Sequence, residues 1–279
     1  MLKTIRQHPM WFFFGLAYLL TWVFWGTEVA EAQGWIKFHL PQKLGYWGLA
    51  TATYFMAFVT GGWPAVKDLL SRLVRWRVGA QWYVIALIFL NVVGLLATSL
   101  LTLTGSASHI GEDLPAAQIL PFFLANFPLF LFTEETAWRG FALPRLLKKY
   151  NALWASVILG IGWGIWHLPL FMIPGTYQAL FPFPGPIAAW LGFMVLVIPM
   201  SILTTWVFNH TRGSVLIAAL FHTATNLGMV FFGVLTHEAA LFWVYAALLW
   251  LATVAVIWLE KPAHLTRAAE LRDVTIEAA

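Results

Sequence analysis

The sequence contains no cysteine, which removes disulfides, thiolate metal sites and a cysteine nucleophile from consideration. Aspartate is nearly as scarce. Asp68, Asp113 and Asp273 all fall in predicted loops or the tail, so a pair of membrane-embedded catalytic aspartates is excluded. Charge is thin altogether, at 10% of residues, against about 25% in soluble domains. What fills the chain instead is apolar: 61% hydrophobic residues and 17 tryptophans, where a soluble domain carries about 45–50% apolar residues. Spread over the whole length, this composition places the chain among polytopic membrane proteins. The first apolar run, Met10 to Gly26, is too long for a signal-peptide core and lacks a small-residue cleavage site, so no cleavable leader is expected.

Apolar stretches of about 20 residues predict an all-α membrane bundle of about eight transmembrane helices. They run over residues 10–27, 44–65, 81–103, 118–146, 152–173, 187–208, 214–234 and 240–259. Together they make a single transmembrane domain, 1–261, followed by a short polar cytoplasmic tail, 262–279. Loop charges orient it. With both termini cytoplasmic, the inner segments hold Lys3, Arg6, Lys67, Arg72, Arg75, Arg77, Arg145, Lys148, Lys149, Arg212, Lys261, Arg267 and Arg272. The outer loops hold only Lys37 and Lys43, beside Glu28, Glu31, Glu112, Asp113 and Glu238. That is the positive-inside pattern. The basic residues serve orientation, so membrane lipid is the expected partner and nucleic acid is not. The expected location is that of an integral multi-pass protein, in the plasma membrane if the source is a bacterium. Two shorter stretches have membrane-surface readings: "SRLVRWRV" (Ser71 to Val78) as an interfacial cytoplasmic helix, and the uncharged Ile173 to Pro186 as an outer loop with aromatic anchors.

Against this background the run "LFTEETAWRG" (Leu131 to Gly140) stands out. Inserting one charge at a helix centre costs about 2.5–3.5 kcal/mol, and this span carries Glu134, Glu135 and Arg139. The other intramembrane polar groups are His167 in the fifth span, and His222 and Asn226 in the seventh. At 1.5 Å per residue, these groups reach similar depths, roughly 12–22 Å from the cytoplasmic ends of their helices. Three helices thus carry polar groups to one level near or below midplane, which predicts one site. Glu135 and Arg139 are four apart in the order that favours a same-face ion pair. Glu134 points about 100° away from Glu135 on a regular helix and need not share that arginine. A carboxylate without a fixed counter-ion in a dry site is a candidate general base. His222 and Asn226, also four apart, offer an imidazole and an amide suited to a developing oxyanion. His167 is a partner for Glu134 and water.

Other proteolytic chemistries find no support. A zinc helix needs H-E-x-x-H, but "THEAAL" has Leu241 where the second histidine belongs. Ser99, Ser156 and Ser201 have no companion base, and Ser106, Ser108 and His109 lie in an outer loop. Glutamate with two histidines remains. Here the chain resembles the CAAX protease and bacteriocin-processing family of intramembrane glutamate proteases, similar to type II CAAX prenyl endopeptidases. "EETAWR" fits that family's E-E-x-x-x-R motif and "FHTATN" its H-x-x-x-N motif. "WGIWH" fits F-x-x-x-H with Trp163 in place of phenylalanine, an exchange expected to leave the chemistry untouched. The resemblance covers about residues 118–235. It implies that Glu134 activates water with help from His167, that His222 and Asn226 stabilise the oxyanion, and that Glu135 and Arg139 support them. It implies an endopeptidase acting near the cytoplasmic side on a membrane-associated peptide or a prenylated protein. No cofactor is expected. Zinc enters only if these same glutamates and histidines are ligands, and no closely spaced ligand pair is there to anchor an ion. Two other classes fit a charged apolar bundle. One is a non-proteolytic scaffold or bacteriocin-immunity protein. The other is a transporter using Glu134 and His167 as a proton relay, although the inverted repeats typical of transporters are not found.

Overall fold

The structure, a computed structural model, describes residues 2–265, so most of the expected polar tail lies outside the described residues. Among the described residues every regular element is helical. A short α1 (Leu2–Gln7) leads into α2 (Pro9–Ala32), α3 (Lys43–Leu73) and α4 (Ala80–Leu103). The fourth predicted span is composite: α5 (Ile119–Phe130), a π-helical segment (Leu131–Ala142) and α6 (Leu143–Leu147). Then follow α7 (Ala152–Trp166), α8 (Gly185–His210), α9 (Val215–Phe231) and α10 (Ala239–Glu260). All eight predicted stretches are helical, and 6 of them are long and apolar enough to cross a membrane on their own. α9 is shorter, and α3 is bent at Gly62 (φ 64°, ψ −160°). Glycine occupies that backbone region without a Cβ clash, and Pro64 removes the next donor, so the helix turns there. The chain is an integral, multi-pass helical membrane protein, and its outer surface carries exposed Trp11, Leu19, Leu124 and Trp258 as a lipid-facing surface would.

Local chemistry sets the helix starts. The Asn151 side chain accepts the Trp154 N–H at 2.9 Å to open α7, and Ser214 accepts that of Ile217 at 3.2 Å to open α9. α2 and α3 pack so closely that a Cβ on Gly48 would lie 2.6 Å from the Leu20 carbonyl oxygen. Small residues allow such approaches between membrane helices.

Several boundaries differ from the sequence reading, among them the end of α3, which runs on to Leu73 and puts Asp68 on a helix and not in a loop. α2 runs on to Ala32, placing Glu28 and Glu31 on its last turns and not in a loop. Only Ser71–Leu73 of the predicted interfacial helix is helical, as the end of α3. Beyond it, carbonyls that a helix would use internally accept from elsewhere: Arg75 from Ser214, Trp76 from Tyr83 and Arg77 from Arg212. The tail also begins docked. The carbonyls of Ala263 and Pro262 accept the first-turn N–H groups of Ala152 and Leu153 (3.0 and 3.2 Å), and Leu265 is fully buried.

The helices alternate in direction, so the loops gather at two ends. One end holds the N-terminus with residues 74–79, 148–151, 211–214 and 261–265, and nearly all the loop lysines and arginines. The other holds residues 33–42, 104–115, 167–184 and 232–238, joined for example by the Gly111 N–H donating to the Phe231 carbonyl at 2.8 Å.

Candidate active site

The answer to the charged run lies in the geometry of its helix. From Leu131 to Ala142 the chain closes π turns, in which a donor reaches five residues back. The Leu143 N–H donates to the Trp138 carbonyl, five back, and the Thr136 hydroxyl also reaches five back, donating to the Leu131 carbonyl at 2.6 Å. Apart from Phe132, every residue of this segment is buried. It faces α3, α5 and α9 and puts its charges into the bundle instead of toward lipid. The regular helix expected for this span is therefore replaced by a wider one, and such departures concentrate at functional sites.

Glu135 is the hub. Its Oε1 accepts Arg139 Nη1 at 2.9 Å and His222 Nδ1 at 2.9 Å, with both pairs buried. The rest of the Arg139 guanidinium lies over the Trp163 ring, 4.6 Å from its centroid. Because an ionised carboxylate only accepts, His222 must carry its proton on Nδ1. Its Nε2 is then an acceptor, and the Asn226 amide donates to it at 3.1 Å. Asn226 stays partly exposed and lines the cavity beside His222.

Glu134 stands apart from this network, as its position in the motif suggested, and its partner is one the sequence reading discounted. Trp163 Nε1 donates to Glu134 Oε2 at 2.7 Å. The exchange of phenylalanine for tryptophan thus adds a donor directly on the candidate base. The legible signal was the spacing: four residues before His167 on a helix is the same face one turn below. Phe130, stacked on His222 at 4.2 Å, was also missed, and it lies four residues before Glu134.

His167 sits at the end of α7, where a 3-10 turn (Leu168–Met172) takes over. Its Nδ1 donates to the Trp163 carbonyl at 2.9 Å, leaving the Nε2 lone pair facing Glu134 Oε2 at 4.0 Å. A helix ending inside the bundle leaves carbonyls without intrahelical partners. Here α2 supplies two donors and α8 one. Tyr18 O–H reaches Gly162, Trp190 Nε1 reaches Gly164 and Trp22 Nε1 reaches Trp166, at 2.7, 2.8 and 2.9 Å.

Glu134, His167, His222 and Asn226 line one cavity of about 890 Å³, with Trp163 and Phe130. It opens past Glu28, Glu31 and Gln42 and the 173–178 loop, at the end of the bundle opposite the N-terminus. The uncharged loop therefore walls the mouth, at the end of the bundle opposite the basic loops. Burial and nearby Asp113 raise Tyr177 at this mouth above its ordinary pKa, keeping its hydroxyl neutral. Glu28 and Glu31 are engaged with Gln42 and His39 respectively. Among the described residues, the group of three His/Asp/Glu side chains close enough to hold an ion is His109, Glu112 and His237, which lie outside this cavity. His222 Nε2 is occupied by Asn226, so the Glu/His set here is poorly arranged for a metal ligand sphere.

Residues 116–228 match the family described as type II CAAX prenyl endopeptidase Rce1-like. A curated relative, the CAAX prenyl protease 2 of Methanococcus maripaludis, is 32% identical over 128 residues, covering 46% of this chain and 46% of that protein. The chain thus matches about half the length of that relative. The segment that matches the Rce1-like family holds Glu134, Glu135, Arg139, Trp163, His167, His222 and Asn226.

Proposed function

We propose that the chain is an intramembrane endopeptidase in which Glu134 and His167 activate a water molecule against a peptide bond of a membrane-associated substrate. The observation that carries this reading is the pairing of Glu134 Oε2 with His167 Nε2, two acceptors 4.0 Å apart at the floor of a cavity. A water donating to both at about 2.8 Å spans roughly that separation, and its lone pair then points away from both, toward the substrate. The oxygen attacks the scissile carbonyl carbon while Glu134 takes the proton, and the free amide N–H of Asn226 receives the carbonyl oxygen as it becomes an oxyanion. Collapse breaks the C–N bond, and the proton held by Glu134 passes to the leaving amine. Glu135, Arg139 and His222 hold Asn226 in place through His222. The family's prenyl endopeptidases suggest a prenylated C-terminal segment as substrate. With the basic end of the bundle in the cytoplasm, however, the mouth faces outward, which favours a peptide presented from the outer side of the membrane.

The test compares new protein termini in membranes carrying wild type or Glu134→Gln at matched expression. The glutamine keeps an oxygen for the Trp163 N–H, so the fold persists while base and proton acceptor are lost. Fragments found only with wild type support the reading. Cleavage at the wild-type rate by Glu134→Gln sinks it.

A further inference from the structure

At the basic end of the bundle, opposite the mouth of the proposed active site, a second cavity of about 460 Å³ opens where residues 74–79, the start of α4 and the end of α8 meet. Arg77, Gln81, Asn209, His210 and Arg212 supply its polar lining, beside Trp82. Among the described residues no carboxylate lines it. Glu260 is turned to His210 Nε2 at 3.4 Å and lies outside the lining. The rim is tied together through backbone carbonyls: Arg212 Nη2 donates to Arg77, Arg75 Nη1 to Arg212, and Ser214 Oγ to Arg75, the last at 2.6 Å. These ties accompany a left-handed backbone at Arg212, φ 53°, which a residue with a Cβ seldom adopts. The Arg77 guanidinium lies over the Trp76 ring, 5.2 Å from its centroid, and has no hydrogen-bond or ion-pair partner among the described residues.

From this geometry we infer a binding site for a phosphate group, carried by an anionic phospholipid of the adjoining leaflet. Two guanidinium groups on one cavity suit a phosphate, which each can meet through paired, charge-assisted hydrogen bonds. α4 opens at Gly79 with no side chain capping it, so the positive end of a 24-residue helix adds to the same field. Two features choose a lipid over a soluble ion. Loops rich in lysine and arginine lie against the leaflet whose anionic lipids attract them. Val74 and Trp76, beside the arginines, are 69% and 58% exposed and offer apolar surface to acyl chains. A soluble phosphate would use neither. The bound headgroup bridges residues 74–79 to the 211–214 turn, where Ser214 caps α9, the helix of His222 and Asn226. Such a site exists whether or not the chain cleaves peptides.

The experiment is lipid binding by delipidated full-length protein in detergent, followed by native mass spectrometry and thermal melting. The probes are dioctanoyl phosphatidylglycerol, dioctanoyl phosphatidylcholine and inorganic phosphate. The proteins are wild type, Arg77→Gln, Arg212→Gln and Lys149→Gln, the last removing one charge from the same end outside the cavity. The expected result is one phosphatidylglycerol held per wild-type chain in preference to phosphatidylcholine, with a raised melting temperature. Affinity for it falls about tenfold or more in Arg77→Gln and Arg212→Gln and stays at the wild-type value in Lys149→Gln. Arg77→Gln leaves the carbonyl ties of the rim in place, so it decides the matter if Arg212→Gln does not fold. The site is overturned if wild type holds phosphatidylglycerol no better than phosphatidylcholine, or if Arg77→Gln binds it as wild type does. Inorganic phosphate binding as tightly as phosphatidylglycerol would overturn the lipid as its source. Because the readouts are binding and stability, they stand apart from any proteolytic assay.

Discussion

A tryptophan at position 163 brings two things to the buried site, a ring and an N–H. The ring packs under Arg139 and edge-on to His222, while the N–H holds one oxygen of Glu134. Trp163→Phe keeps most of the ring and removes the donor. Hydrogen bonds to charged groups contribute about 1.5–3 kcal/mol, so the proposed turnover should fall roughly 10–100-fold and the melting temperature should drop with it. An unchanged kcat would show that Glu134 needs no such holder. Arg139→Met leaves Glu135 buried with only His222 on it, and breaking a buried pair in this manner costs about 3–5 kcal/mol. A denaturation series in detergent should register that loss. The motif residues themselves were legible in the sequence because charge and amide are rare in this chain. Glu134, His167, His222 and Asn226 do meet around one cavity. The division of labour was less legible, since which nitrogen of His222 holds a proton depends on Glu135, a residue on another helix.

At the scale of elements, the eight helical stretches could be read from apolar length, which is the dominant signal in lipid. The π segment could not, because nothing in "LFTEETAWRG" distinguishes five-back from four-back closure before the neighbours are known. The early end of α7 was hidden for a similar reason: hydropathy continues through Leu168–Met172 although the α-helix stops at Trp166. What makes that stop tolerable is the set of donors from α2 and α8. Tyr18→Phe removes the donor to Gly162, at about 0.6–2 kcal/mol for a hydrogen bond within a membrane bundle. Combined with Trp22→Phe, it should lower the melting temperature further and speed amide exchange around His167. Exchange there that matches wild type would mean the α7 terminus is held by packing alone.

At the scale of the whole molecule, charge and cavity point opposite ways: the basic loops cluster at one end and the mouth opens at the other. The absence of native cysteine makes this measurable. In intact cells a membrane-impermeant maleimide should label Trp35→Cys and Gly175→Cys, beside the mouth, and leave Lys149→Cys unlabelled until the membrane is opened. The reverse pattern would put the mouth in the cytoplasm and favour a prenylated cytoplasmic substrate. One feature of the described tail reaches further, into biosynthesis. The carbonyls of Pro262 and Ala263 close the first turn of α7, the helix that presents Trp163 and His167. Glu134 and His167 leave the ribosome well before either carbonyl exists, and His222 arrives between them. A nascent chain therefore carries the parts of its site into the membrane before the helix beneath them is fastened, and the segment that follows α10 is what delivers the fastening.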